Sequence, residues 1–570
     1  MWFPRTRERI VRREVDASLV ERLRRETGYP AALAAILAGR GLSSAEECER
    51  FFTPRLADLH DPFTFRDMGK AVARIRRAVR NAEKITVYGD YDVDGITATA
   101  MLVRALHKLG AVCDYYLPHR LNEGYGISAA GIDAVADRGT TLLITVDCGI
   151  SAVDKVAAAV ARGIDVIITD HHEPKDRAPA AVAVLDPKLP GSTYPERTPA
   201  GVGVALKLVQ ALAVDFGAGN DFWEEYLDLA AVGTAADIVP LRGENRVIAS
   251  EGFRRLRRTS NPGLAALIKE RGLAGRPLST SQVVFVLAPC MNAVGRLGDA
   301  RRGVELLLTD DPTVAASRAR ELAGANEQRR TLDARVQEAV FGWVHANCIP
   351  EEDFAVVAGH ETWHAGVVGI VASKVVERFN RPAILLSLGE DGVARGSGRT
   401  AAGLHLLDAL KECEHLLESY GGHAAAAGLS VRHENIDALR THFNRVVREK
   451  LTADDLVPLI KVDAEVALDT LTPKFFERLK RMEPFGLGNM RPVLLCRNMK
   501  ARYAPRIVGK GHLKMAATDG VRTMDAIGFN FGDRLDDVRR ATTFSLAFTL
   551  DENEWNGRKS LQMKLRGVES

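Results

Sequence analysis

Long apolar stretches are missing from this chain. The longest, Ala31–Ala38, runs for eight residues, against the roughly 18 that a membrane-spanning helix needs. That excludes a helical membrane protein. The opening MWFPRTRERIVRREVD intersperses arginine with acids and has no apolar core of the kind a secretory signal carries. Cysteine is scarce and scattered: seven residues, an odd number, with no CxxC pair. A disulfide framework is excluded, and the thiols read as reduced in a cytoplasmic protein. No charge of one sign dominates, since 77 Lys and Arg against 74 Asp and Glu leave a formal net charge of +3. That balance permits a local basic patch for nucleic acid without requiring one. Internal repeats, low-complexity tracts and a rod-like or collagenous pattern are also lacking.

What remains is ordinary globular composition at length: 570 residues, 46% hydrophobic and 26% charged. At about 150 residues per domain, three or four units are expected, each able to bury its own core. The reading is a multidomain α/β protein. Residues 1–50 form an N-terminal helical extension, helical through Ala31–Leu37. Over 51–310 the β-rich runs KITVYGD, VCDYYLP, TLLITVD and DVIITD alternate with helical stretches such as Thr97–Leu109 and Ala152–Ala161. That alternation predicts βαβ units and a parallel sheet. Residues 311–349 lack proline between Pro312 and Pro350 and read as one long polar connecting helix. A smaller α/β domain follows over 350–452, containing AILLSL. Over 453–570, short strands such as GHLKMAAT, TMDAIGF and FSLAFTL predict a small β-barrel.

Chemistry concentrates where the first set of strands ends. After KITVY comes Gly89-Asp90-Tyr91-Asp92-Val93-Asp94-Gly95, three carboxylates in five residues. Such like charge is costly unless a cation shares it, and hard divalent cations take oxygen ligands. An EF-hand loop is excluded because Met101 stands where its twelfth-position glutamate would be. A solvated turn with acidic helix caps is the plain alternative. Asp147 then ends TLLITV, Asp170-His171-His172 follows DVIIT, and GTAAD places Asp237 after a helical stretch. A lone acid at such a point is commonly a cap, and a lone His pair a surface group. Their recurrence at the carboxyl ends of successive parallel strands, where α/β sheets bind ligands, is different. Oxygen-rich ligation with imidazole and no thiolate suits Mn²⁺ or Mg²⁺. There are enough ligands for two ions about 3.5–4 Å apart, sharing one carboxylate across a phosphoryl centre.

These residues carry a family resemblance. GDYDVDG, the Asp147 strand end, DHH at 170–172 and GTAADIVP at 233–240 resemble the four motifs of the DHH phosphoesterase superfamily. WHAGVVGIVAS at 363–373, GSGR at 396–399 and GGHAAAAG at 421–428 resemble its DHHA1 domain. NAVGR at 292–296, EPFGLGN at 483–489 and the barrel-like end narrow the resemblance to the bacterial single-strand-specific 5′→3′ DNA exonucleases of that superfamily. It runs from about residue 50 to the end. The resemblance implies a parallel-sheet DHH domain, the long helix, a DHHA1 domain and a C-terminal OB-fold.

The resemblance also implies roles. Asp92, supported by Asp90, binds one divalent ion, either Mn²⁺ or Mg²⁺. Asp94, His171 and Asp237 bind a second, and Asp147 bridges. His172 stands by the scissile phosphate, and imidazole is suited to proton donation near neutrality. Arg120 and Arg296 contact substrate phosphate, and Ser397, Arg399 and His423 line the pocket for the 5′ end. Arginine forks pair phosphate oxygens, and glycine-rich turns let backbone N–H groups approach them. Trp555, in the polar run DENEWNGRK, is the stacking candidate of the barrel. Cys290 and His119 depart from the usual Arg and Asn, while every ligand position is filled. The implied reaction is in-line hydrolysis of the first phosphodiester from the 5′ end, in a cleft between the DHH and DHHA1 domains, releasing 5′-mononucleotides in recombination and repair. Implied partners are single-stranded DNA, a RecQ-type helicase and a single-strand-binding protein, with the chain a monomer acting at the nucleoid. Two alternatives stay open: a DHH phosphodiesterase of small substrates, such as short oligoribonucleotides or cyclic dinucleotides, and a catalytically inactive replication scaffold.

Overall fold

Alternation along each strand decides which face of a sheet a residue serves, and here both faces of two sheets are covered. The computed structural model describes residues 8–119, 123–175, 177–297, 299–349, 351–401, 403–555 and 557–569. Among the described residues the first elements are strand β1 (Arg9–Arg12) and the helices Ala17–Thr27, Ala31–Gly39 and Ala45–Phe52. The strand is an addition to the expected helical extension. It pairs in parallel with Leu459–Val462, far along the chain, a partnership no local pattern announces. Asp463 draws Arg13 (3.3 Å) and Arg40 (3.8 Å) to the same place.

Next come β2 (Lys84–Tyr88), β3 (Val112–Tyr116), β4 (Leu142–Val146), β5 (Asp165–Thr169) and β6 (Ala183–Leu185). They form one sheet in the order β3-β2-β4-β5-β6, every neighbour parallel. Ile85, Val87, Leu142, Ile144 and Ile167 face a large core beneath the helices Val93–Lys108 and Gly201–Asp215. Their neighbours Tyr88, Leu143, Val166 and Ile168 face a second core on the opposite side. Side chains of period two with apolar cover on both faces are what a parallel sheet requires.

The expected long helix spans Pro312–Asn347. Beyond it lie β7 (Val356–His360), β8 (Ala383–Leu388), β9 (Val393–Arg399), β10 (Leu417–Gly422) and β11 (Ala426–Arg432), in the order β10-β11-β9-β8-β7. Val356, Ala358, Ala383 and Leu385 pack under the helix Ala365–Phe379 and under Val336, Val340 and Val344 of the long helix. Val357, Ile384 and Leu386 point the other way, toward the helices Leu406–Glu412 and Ile436–Lys450. GSGR lies within β9 rather than in a turn. Its glycines are needed there because a Cβ on Gly396 would come within 2.3 Å of the Leu385 carbonyl.

The last part has β12 (Leu459–Val462), β13 (Ala464–Glu465), β14 (Leu494–Ala501), β15 (Arg506–Val508), β16 (His512–Thr518), β17 (Thr523–Gly528), β18 (Phe544–Trp555) and β19 (Arg558–Glu569). Strand β14 pairs with both β18 and β16, so β14-β18-β19-β17-β16 closes into a ring, the topology of a small barrel. Contacts divide the chain into two units. One holds residues 49–328 with 482–490, and the other the residues before 49 with 329–481 and those from 491 on. Among the described residues no helix is long and apolar enough to cross a membrane, and none of the seven cysteines is in a disulfide.

Candidate metal centre

The acids gather because four chain segments end at one edge of the parallel sheet. Strand β2 delivers Asp90. Two residues on, Asp92 caps the helix Val93–Lys108, accepting from the N–H groups of Asp94 (2.9 Å) and Gly95 (3.1 Å). That cap places Asp94 in the first helical turn, pointing inward. Its two oxygens accept from the N–H groups of Gly201 (2.6 Å) and Val202 (2.8 Å), where the next helix begins. Asp147 ends β4 with φ at 60°, a left-handed backbone uncommon outside glycine that clusters at functional sites. His171 follows β5, and Asp237 closes the helix Leu227–Ala236.

Side-chain ligand atoms then fall into three groups, each within 4.8 Å: Asp94 with His171 and Asp237; Asp90 with Asp92 and Asp147; and Asp147 with His171 and His172. The first two share no residue, and the third links them through Asp147 and His171. Asp147 Oδ1 and His171 Nε2 are buried, 3.1 Å apart, and in no hydrogen-bonding geometry. Asp237 lies 3.6 Å from the same nitrogen. Two glycines make room for this crowding. A Cβ on Gly233 would sit 2.9 Å from Asp94 Oδ1, and one on Gly201 would sit 2.6 Å from both Cβ and Oδ1 of Asp147. Gly201→Ala is therefore expected to push Asp147 aside and cut activity by about tenfold or more, with the Mn²⁺ needed for half-maximal rate rising in step. A titration of rate against Mn²⁺ checks this, and an unchanged curve would count against Asp147 as a ligand.

Titration behaviour points the same way. Burial, then repulsion from Asp237 and Asp92, drives the Asp94 carboxyl well above the usual carboxylate range. Burial, then Asp94, Asp92, Asp237 and Asp90, does the same to Asp147. Asp237 is pushed up to about 7 by burial and Asp92. His171 is lowered to about 3, by burial first and His172 second, so its ring is neutral at physiological pH. The Pro199 carbonyl hydrogen-bonds that ring, which leaves Nε2 facing the acids with a lone pair. Carboxyls whose negative charge is disfavoured by burial and crowding, beside a neutral imidazole, fit a divalent cation that would neutralise that charge. Hard oxygen donors with one imidazole and no thiolate match Mn²⁺ or Mg²⁺.

His172 is held differently. Asp170 Oδ1 accepts from its Nδ1 at 2.7 Å and from the N–H groups of His171 (2.7 Å) and His172 (3.2 Å), and Oδ2 accepts from Ile150 N (2.9 Å). Burial opposes ionisation of Asp170, but the His172 hydrogen bond and charge outweigh it and hold the carboxyl below its ordinary range. For His172 burial pulls the pKa down, while Asp170, Asp237 and Asp92 outweigh it and leave it raised. The Tyr125 hydroxyl lies 3.1 Å from the same ring and 3.3 Å from the Asp147 carbonyl. Sequence reasoning assigns neither Asp170 nor Tyr125 a role. The adjacency of Asp170 to two histidines was the available signal. For Tyr125 there was none, since it stands 47 residues from His172.

Of the expected phosphate contacts, Arg296 ends the helix Ala288–Leu297, next to Gly295, where an added Cβ would lie 3.0 Å from the Tyr91 carbonyl. Ser397 and Arg399 come together on β9. Arg399 donates to Ser397 Oγ at 2.7 Å, and both pack against Gly369 of the helix Ala365–Phe379. His423 is exposed in the turn between β10 and β11, where Ala426 pairs with Arg399. Arg120 lies outside the described residues, as does the side chain of Trp555, whose backbone ends β18 opposite Arg558. Of the barrel aromatics, Phe531 is core, while Tyr503 and Phe529 are exposed with Arg502 and Lys564 beside their rings. Cys290 is buried and donates to the Val286 carbonyl, an inert packing position.

Residues 84–234 match the model of the DHH family N-terminal domain, and 352–449 that of the DHHA1 domain. The fold and this cluster of acids and histidines thus place the chain among DHH-family proteins. Residues 462–567 match the RecJ OB domain. The chain is 38% identical to the single-stranded-DNA-specific exonuclease RecJ of Bacillus subtilis, over 97% of this chain and 69% of that one. To the RecJ of Escherichia coli it is 36% identical, over 98% of each. A crystal structure of RecJ with Mn²⁺ from Thermus thermophilus superposes with a TM-score of 0.84 at 30% identity, covering 99% of this chain and 80% of that one. The chain belongs to the RecJ family of single-stranded-DNA-specific exonucleases.

Proposed function

We propose that this protein hydrolyses single-stranded DNA from the 5′ end to 5′-mononucleotides, using two divalent cations, Mn²⁺ or Mg²⁺. The observation that carries the reading is the pair of ligand groups, Asp94–His171–Asp237 and Asp90–Asp92–Asp147, linked through Asp147 and His171, in a chain of this family. Bound there, two cations would supply Lewis-acid stabilisation of the phosphoryl oxygens and an activated water. The protein's own groups do the rest. Asp147 holds its carboxylate toward both groups. His171, oriented by the Pro199 carbonyl, presents Nε2. His172, its Nδ1 proton fixed on Asp170, keeps Nε2 for the leaving 3′ oxygen and, protonated, donates to it. In this reading Arg120 and Arg296 bind phosphate along the strand, and Ser397, Arg399 and His423 bind the 5′ end. Trp555 stacks on a base. The setting is cytoplasmic recombination and repair, with a RecQ-type helicase and a single-strand-binding protein as partners.

The test uses a 3′-labelled DNA oligonucleotide with purified protein and Mn²⁺, beside the same strand in a blunt duplex and as RNA, with Asp147→Ala as control. A product series shortening from the 5′ end, on single-stranded DNA alone and absent from the control, is expected. Digestion confined to very short RNA would replace the reading with a small-substrate phosphodiesterase. No digestion with any metal would leave a scaffold.

A further inference from the structure

Three consecutive polar residues, Glu244, Asn245 and Arg246, are all buried in the first turn of the helix Gly243–Leu256, with 2%, 0% and 3% of their surfaces exposed. Successive helix residues point about 100° apart, so this turn is enclosed on several sides, and each residue serves a different partner. Glu244 accepts from the His60 N–H at 2.8 Å, from Lys207 Nζ at 2.9 Å and from the Tyr194 hydroxyl. Asn245 Nδ2 donates to the carbonyls of Thr198 (2.6 Å) and Pro240 (3.0 Å). Arg246 lies over the Phe51 ring and donates to the carbonyls of Phe51 (2.8 Å), Glu483 (3.0 Å) and Pro484 (3.4 Å).

The two carbonyls on Asn245 belong to the segments that present one whole ligand group. Thr198 leads into Pro199, which orients His171, and into Gly201 and Val202, which hold Asp94. Pro240 ends the turn that starts at Asp237. That turn is strained. Ile238 has φ at 60°, a conformation a β-branched residue keeps only when its surroundings enforce it. The turn is anchored at both ends. Asp237 N–H donates to the Gly233 carbonyl at 2.9 Å, and Leu241 N–H donates to the Leu487 carbonyl at 2.7 Å. Arg242 Nε adds a bond to the Gly488 carbonyl at 3.0 Å. The segment Met482–Met490 is itself closed, since Asn489 Nδ2 donates to the carbonyls of Met482 (2.8 Å) and Pro484 (2.9 Å). It fits tightly, because a Cβ on Gly486 would lie 2.7 Å from Leu241 Cδ1.

We propose that Asn245 is a positioning residue for the Asp94–His171–Asp237 group, and that Arg246 makes Met482–Met490 the outer wall of the same device. This rests on the metal-centre reading above. The experiment is Mn²⁺ binding to the full chain by calorimetry and electron paramagnetic resonance, with melting curves and the KM for single-stranded DNA measured alongside. Asn245→Ala is expected to weaken binding of one ion by about 10–100-fold, with KM unchanged. Arg246→Lys, which keeps the charge and loses the fork, is expected to weaken the same ion less. Leu267→Ala, at a buried position of the helix Pro262–Glu270 in the same unit, is expected to lower the melting temperature without moving Mn²⁺ affinity. Wild-type affinity in Asn245→Ala, or an equal loss in Leu267→Ala, would overturn the inference by reducing Asn245 to ordinary packing. If Asn245→Ala does not fold, unchanged affinity in Arg246→Lys overturns it instead. A wild-type chain that takes up no Mn²⁺ would remove the metal-centre reading itself, which separates the two failures.

Discussion

Asp147→Ala is expected to lower the rate of single-strand hydrolysis by at least ~10³-fold, with a smaller effect on KM. Asp147 belongs to two of the three ligand groups, and its Oδ1 faces His171 Nε2 at 3.1 Å. With two ions held by these groups, Asp147 would be the carboxylate common to both, and its loss would remove about 4 kcal/mol of transition-state charge stabilisation, which is three powers of ten in rate. Single-turnover rates over a range of Mn²⁺ concentrations measure this, and a loss under tenfold would mean that Asp147 is not shared. The same site predicts an opposite change in stability. Burial and four neighbouring acids raise the Asp147 pKa in the folded protein. Ionisation of Asp147 therefore destabilises the metal-free fold, increasingly as pH rises above its ordinary value of 3.8. Asp147→Asn is accordingly expected to melt at a higher temperature than the parent without metal at pH 8, and to gain less than the parent when Mn²⁺ is added. Identical melting curves in both conditions would contradict the crowding argument.

Asp170→Asn is expected to reduce kcat by about 10²-fold or more while leaving Mn²⁺ affinity nearly unchanged. Asp170 takes no part in any of the three ligand groups. Its oxygens are occupied by three backbone N–H groups and His172 Nδ1. The substitution leaves size and position alone. It removes the charge that fixes the tautomer, so that, in the proposed mechanism, Nε2 would no longer be held ready for the leaving oxygen. The sign of the pH effect follows from Asp170 being the first cause that raises the His172 pKa against burial. Without it the imidazolium deprotonates at lower pH, and the alkaline limb of the rate profile is expected to move down. His172→Ala should abolish that limb. A profile of Asp170→Asn parallel to the parent at every pH would show that His172 is not the proton donor.

Much of this protein is legible in short stretches. KITVY, TLLITV and DVIIT became β2, β4 and β5 because short, nearly continuous apolar runs suit a sheet covered on both faces, and the acids at their ends reached one edge because parallel strands all end on the same side. The long helix came out at Pro312–Asn347 because nothing within it breaks a helix. Other features resist this kind of reading. GSGR has the composition of a turn, yet it lies in β9, where close packing between strands excludes a Cβ. The strand β1 needs Leu459–Val462 as a partner, and charged RIVR by itself does not read as a strand.

The sequence alone therefore determined the acids and histidines, their order, the parallel sheet that collects them and the family to which the chain belongs. Each of those is written in spacing over a few residues, in strand period, helix cap and motif. The tertiary structure alone decided that Tyr125 lies beside the His172 ring, and that Asn245 ties the segment at Thr198 to the turn at Pro240. It alone folded Met482–Met490 into the unit that carries the acids. Those contacts join residues up to 246 positions apart. Which carbonyl meets a buried amide is settled by chain closure and packing, and no local pattern encodes it.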